Sequence, residues 1–119
     1  MELLPEHLRA SLPPLKSQEH LEPGDRIVYA NYFIPGITYA WFVTEGEEQD
    51  GNFVFFGYII NQDGEEWNHF PLRELEEVNE KVEELKDVMD MTGLSVERVP
   101  NFKPTSFKGA LAGYRQKAD

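Results

Sequence analysis

Residues 52–60 read NFVFFGYII, nine positions with β-branched or aromatic side chains at almost every step and no charge. Such a run is too short for a globular helix of ordinary length, and it is apolar at both parities of a period-two count. It is therefore read as a central β-strand covered on both faces. The fold is read outward from it. Upstream lie ITYAWFVT (37–44) and RIVYANYFI (26–34), equally dense in strand formers. In the nearer one, Ile37, Tyr39, Trp41 and Val43 alternate with Thr38, Ala40, Phe42 and Thr44, which gives one large apolar face and one mixed face. The links PG (35–36) and EGEEQDG (45–51) are short and turn-like, so antiparallel neighbours are expected rather than crossovers. Downstream, NQDG (61–64) signals a turn and EEWNHF (65–70) a fourth strand.

After Pro71 the period changes. Leu72, Leu75, Val78, Val82, Leu85 and Met89 recur at steps of three and four, one apolar stripe on a helix that Gly93 is placed to stop. LSVERVP (94–100) is a candidate for a last short strand, and residues 101–119 read as a loosely packed tail with Phe102, Phe107 and Tyr114 as anchors. At the other end, LLPEHLRA (3–10) suits a short helix with Pro5 in its first turn, ended by the prolines of LPPL. EPGD (22–25) opens a turn into the sheet. The expected architecture is one α+β domain over residues 1–119: an antiparallel sheet of four to five strands, a short N-terminal helix and one longer amphipathic acidic helix.

The 119 residues carry a formal charge of −11, and the excess lies in one block. From Val43 to Asp90 there are fifteen acids and three bases, whereas the two flanks together hold seven acids and eight bases. This field opposes a phosphate backbone, because nucleic-acid binding needs clustered Lys and Arg to displace counterions. A basic partner protein is expected, and direct DNA or RNA binding is not. Neither a membrane span nor a signal peptide is read: no run of about 18 apolar residues occurs, and the first residues lack a basic lead. The chain has no cysteine, which removes disulfides and thiolate chemistry and fits a reducing cytoplasm.

The acidic helix has two readings. In the first, its carboxylates are a solvated face and nothing more. In the second they are a working surface. Glu76, Glu80, Glu83, Glu84, Asp87 and Asp90 fall largely three or four residues apart, where like charges are neighbours and weaken the helix, and lysines to offset them are few. The same charge continues into Glu47, Glu48 and Asp50 of the preceding turn. A row of this kind can imitate a phosphate backbone, occupy a basic groove and hasten the encounter through its field.

Enzymatic signatures are absent from the sequence. The serines at 11, 17, 95 and 106 stand in no nucleophile motif, no glycine-rich phosphate loop occurs, and an enzyme is not expected. His7, His20 and His69 show no tight ligand spacing. The one metal constellation to test joins His20 with Glu45 and Glu66, a mixed imidazole and carboxylate set that could take zinc if the N-terminal segment crosses the strand ends.

Several stretches resemble a known family. LLPEHLRASLPPLKSQE (3–19), VYANYF (28–33), YAWFVTE (39–45), FFGYI (55–59) and EEWNHFPLREL (65–75) look like the successive motifs of a small bacterial family of plasmid, conjugative-element and prophage proteins, marked by LPPL-x-SQE, W-x-VTE and FFG. The resemblance covers roughly residues 1–75 and returns at LSVERVPNFKP (94–104), while 76–92 departs from the pattern. It transfers no activity. It implies a context, since small proteins of mobile elements often shield that DNA by blocking restriction enzymes or CRISPR nucleases, and the motif acids it marks are Glu19, Glu45 and Glu66. The expected function is accordingly an inhibitor of a bacterial defence nuclease, of anti-CRISPR or anti-restriction type. The alternatives are a metal-binding domain or metal-dependent hydrolase, and an accessory of conjugation or replication.

Overall fold

Strand β4 (Asn52–Asn61) is the hub. It pairs antiparallel with β3 (Ala40–Gln49) on one side and with β5 (Gly64–Pro71) on the other. Beyond β3 come β2 (Ala30–Phe33) and the two-residue β6 (Glu97–Arg98), so the sheet runs β5-β4-β3-β2-β6. A separate ladder joins β1 (Ile27–Val28) to β7 (Thr105–Ser106). Three helices complete the α+β fold: α1 (Glu6–Ser11), α2 (Leu72–Leu85) and α3 (Phe107–Ala118). This computed structural model describes residues 2–118.

The meander expected between residues 26 and 70 is present with altered boundaries: 26–34 divides into β1, which pairs with β7, and β2, and the strand expected over 37–44 begins at Ala40. β3 does not stop at Thr44 but continues through EGEEQ to Gln49, and the turn shrinks to Asp50–Gly51. Both turn residues have positive φ, 51° and 84°. That is the backbone of a two-residue hairpin whose twist matches its strands, and Asp-Gly is among the pairs that adopt it most readily.

The two sheet faces bury different clusters. On the first face Tyr32, Trp41, Val43, Phe53, Phe55, Ile59 and Phe70 pack with Leu75 of α2, Leu8 of α1 and the leading Leu3 and Leu4. On the second, Phe42, Ala40 and Ile60 pack with Phe107, and Tyr58, Trp67, Leu111 and Tyr114 close around them. The apolar character of β4 at both parities follows from this double cover. Here the expectation for the C-terminal tail gives way. Residues 107–118 form helix α3, because Phe107, Leu111 and Tyr114 fall at i, i+4 and i+7 and seat on the second face, where Phe107 and Tyr114 meet the ring of Phe42 edge-on. Asp119 lies outside the described residues.

Helix α2 also ends earlier than its stripe suggests, at Leu85 rather than near Met89. Gly93 is not its stop. With φ of 77° it lies against Gly36, whose N–H donates to the Gly93 carbonyl at 2.6 Å; a Cβ on Gly36 would stand 2.8 Å from that oxygen. Asn79 ties the returning chain to α2, donating to the Val96 carbonyl at 3.1 Å and accepting from the Val96 N–H at 2.7 Å. Among the described residues no helix is long and apolar enough to cross a membrane.

Candidate functional site

Helix α2 spends one face on the core and turns the other to water. Leu75 is fully buried and Leu72, Val78, Val82 and Leu85 are half-buried, while Glu74, Glu76, Glu77, Glu80, Glu83 and Glu84 are all exposed. Six carboxylates over 14 residues at 1.5 Å per residue amount to one per about 3.5 Å of axis, close to the about 3.4 Å between phosphates along one DNA strand. The helix carries two bases of its own. Arg73 reaches Glu80 through both terminal nitrogens, at 2.8 and 3.1 Å, and lies 3.4 Å from Glu77 and 3.9 Å from Glu76. Its hydrogen bond to Glu80, then the three acidic charges, raise its already high pKa. Lys81 pairs with Glu84 at 3.9 Å, and Lys86, just past the helix, pairs with Glu83. The helix keeps a net charge of −4 in a wholly exposed array.

The other acids expected on this surface divide. Glu48 pairs with Phe53, a residue of the first-face core, so it shares a sheet face with α2 and is exposed. Glu47 pairs with Val54 and points to the second face, where it accepts the Leu15 N–H at 2.8 Å. Asp50 occupies the exposed hairpin tip. Asp87 and Asp90 stand beyond the end of α2, and Asp90 is engaged with the Thr92 N–H at 2.9 Å, which together with the Thr92 side chain holds its carboxyl below the usual range. In the sheet Glu47 is opposite Val54, and Val54 is opposite Pro71, the residue before α2, but the Glu47 side chain is on the face away from α2, and Asp87 and Asp90 lie at the far end of the helix. At about 4.8 Å per strand step, the Glu47 backbone lies roughly 10 Å from the start of the helix, and Asp50 at the hairpin tip stands three residues farther along the chain.

The proposed metal set does not come together. Glu45 pairs with Phe56 and so belongs to the second face, whereas Glu66 pairs with Ile59 on the first. Paired residues share a face and successive residues alternate, so the two carboxylates are on opposite sides of the sheet. Glu45 is moreover already committed. It is 3% exposed, its Oε1 accepts the Lys16 N–H and its Oε2 the Gln18 N–H, both at 2.8 Å. His20 is exposed. Among the described residues no group of three or more His, Asp or Glu is placed to hold a metal ion, and His20, Glu45 and Glu66 do not form a single zinc-ligand set.

What sequence reasoning missed is the use to which Glu45 is put. The β3–β4 register slips by one residue between Val43 and Glu45, leaving Thr44 as a bulge. Without that extra residue Glu45 would face the apolar first cluster; with it, Glu45 faces the loop 15–20. Gln18 completes the joint, donating to the Ile27 and Thr44 carbonyls at 2.9 and 2.8 Å and accepting the Ile27 N–H at 2.6 Å. Gly46 donates to the Pro13 carbonyl at 3.0 Å, and a Cβ at Gly57 would fall 1.9 Å from the Phe42 carbonyl oxygen. Motif residues from LPPL-x-SQE, W-x-VTE and FFG thus meet at one bulge, where they fasten the N-terminal segment to β3. Glu19, the remaining motif acid, is exposed.

The opposite side of the sheet is differently charged. Helix α3 carries Lys108, Arg115 and Lys117 and no acid. Arg115 forms a two-pronged pair with Glu65 at 2.7 and 2.9 Å, and Tyr58 donates to the same carboxylate at 2.6 Å. The Tyr58 hydrogen bond and then the Arg115 charge hold Glu65 below the usual carboxylate range. The sheet therefore separates an acidic helix from a basic one. The chain matches no protein-family model, and neither a curated protein nor a solved structure matches it.

Proposed function

We propose that this protein is a cytoplasmic inhibitor carried by a phage or other mobile element, which blocks the basic nucleic-acid groove of a bacterial defence nuclease of the CRISPR or restriction type. It acts by binding and not by catalysis. The observation that carries this reading is the outer face of α2, six exposed carboxylates at the axial density of a phosphate strand on a helix whose other face is anchored in the core. A merely solvated face gains from lysines at i, i+4, and this one has Arg73, Lys81 and the following Lys86 against six acids. Glu48 and Asp50 extend the charge toward the hairpin tip, and the motif resemblance supplies the setting. The charge separation across the sheet orients the molecule in the field of a basic groove before contact.

The test uses a variant in which Glu76, Glu80, Glu83 and Glu84 are all changed to Gln. Wild-type protein should capture a nucleic-acid-binding protein from host lysate, displace a labelled duplex from it, and lose affinity steeply between about 50 and 200 mM salt. The variant should fail to displace the duplex. Equal displacement by both proteins, or displacement that ignores salt, contradicts the proposal.

A further inference from the structure

We propose that the groove between α2 and the returning segment 88–94 is a docking site for a basic amphipathic segment of the partner, with its apolar side chains seated in the groove and its Lys or Arg on the acidic rim. The inference rests on the acidic-surface reading above and adds to it where the partner is gripped.

The groove of about 490 Å³ is lined by Ile37, Val78, Val82, Met91 and Leu94, with Glu74, Glu77 and Lys81 along its edge. It exists because α2 stops at Leu85. Had the helix continued, Met89 would extend its apolar stripe; instead the chain turns through 86–89 and doubles back, and Gly36 and Gly93 lock the Ile37 turn against it. The large hydrophobic side chains exposed among the described residues are Ile37 at 38%, Val88 at 78% and Met89 at 54%. Ile37 lines the groove, and the other two lie within three residues of Met91, which also lines it. Isolated exposed apolar residues need no explanation, but apolar residues gathered around one concavity and rimmed by charge mark an interaction site.

The charge decides the occupant. Two of the three rim groups are acidic, and the only base among them is paired to Glu84. A second copy offers basic charge on α3, but the apolar stripe of that helix, Phe107, Leu111 and Tyr114, is already seated on its own sheet and cannot fill the groove. An apolar stripe flanked by Lys or Arg matches both the lining and the edge, in the manner of an amphipathic helix laid in a groove.

The experiment uses three fluorescent peptides of about 18 residues: a Leu/Lys amphipathic helix, its Leu/Glu counterpart, and a Lys/Ser peptide lacking the apolar stripe. They are titrated by anisotropy against wild-type protein, a groove variant (Ile37→Ser, Met91→Ser), a rim variant (Glu74→Lys, Glu77→Lys) and a face variant (Glu76→Gln, Glu80→Gln, Glu83→Gln). The Leu/Lys peptide should bind wild type one to one and lose at least about tenfold in affinity in both the groove and rim variants. The substituted residues are exposed except Met91, which is half-buried, and a rim variant that folds as wild type keeps the test decisive if the groove variant does not. Absent binding, unchanged affinity in both variants, equal binding of the Leu/Glu peptide, or self-association abolished by the groove changes would each overturn the proposal. The Lys/Ser peptide reports on the acidic face separately: its binding should fall in the face variant alone, and its failure to do so counts against the functional reading and not against the groove.

Discussion

Replacing Glu45 by Gln isolates the role of a buried carboxylate while keeping its volume. In the wild type each oxygen accepts one backbone N–H at 2.8 Å, from Lys16 and Gln18. A carboxamide can satisfy one of those donors; its NH2 then meets the other head-on. A hydrogen bond to a charged acceptor is worth about 1.5–3 kcal/mol, and a buried donor left unpaired costs about 1–3 kcal/mol more. Relief of the carboxylate's own desolvation returns part of this. The expected loss is about 3 kcal/mol, and for 119 residues it lowers Tm by roughly 12 °C. Thermal unfolding followed by circular dichroism measures the loss, and amide exchange at Lys16 and Gln18 shows where it arises. Glu47→Gln, half-buried and with one backbone N–H partner beside a long 3.5 Å contact from Gln49, should cost only about 1 kcal/mol. A Glu45→Gln protein within about 1 kcal/mol of wild type, with those amides still protected, would refute the reasoning. So would a zinc-dependent rise in wild-type Tm that the variant lacks, because it would return Glu45 to the role of a metal ligand.

Gly57→Ala should prevent stable folding, since its Cβ would stand 1.9 Å from the Phe42 oxygen within a central strand pair; soluble expression and near-UV dichroism report it. Asn79→Ala should destabilise by about 1–3 kcal/mol through the two lost bonds to Val96, seen as a lower urea midpoint with an unchanged m-value. Glu65 is held below its ordinary value of 4.5, so its contribution is complete above that pH and is lost as pH falls through the lower folded-state value. Acid titration of wild type should therefore show a loosening of α3, read from Tyr58 and Tyr114 fluorescence or proton shifts, that Glu65→Gln abolishes. The group is exposed and the stability change small; the spectroscopic transition is the measurement that decides.

Much of the fold was legible because strand and helix periods are properties of the local chain. Trp41 and Val43 alternate with Ala40 and Phe42 in the sequence as they do across the sheet, and the Leu72–Leu85 stripe is the buried face of α2. The acids of α2 are likewise exposed where the apolar positions leave them no other direction to face, whereas Glu45 of the same acidic block is buried. The C-terminal helix was harder to read because Gly109 and Gly113 interrupt it; its stability comes from Phe107, Leu111 and Tyr114 seating on rings contributed by β3, β4 and β5.

The residues of this chain by themselves determined the antiparallel meander, the apolar face of α2 and the concentration of negative charge, since periodicity and composition need no partner to be expressed, whereas the β1–β7 ladder was not legible in them. Only the tertiary structure decided that Glu45 fastens a loop, that Glu66 faces away from it, and that α2 stops in time to leave a groove beside Ile37. Those outcomes hang on a one-residue bulge and on a contact between Gly36 and Gly93, and a shift of one position in pairing reverses the side to which a residue points.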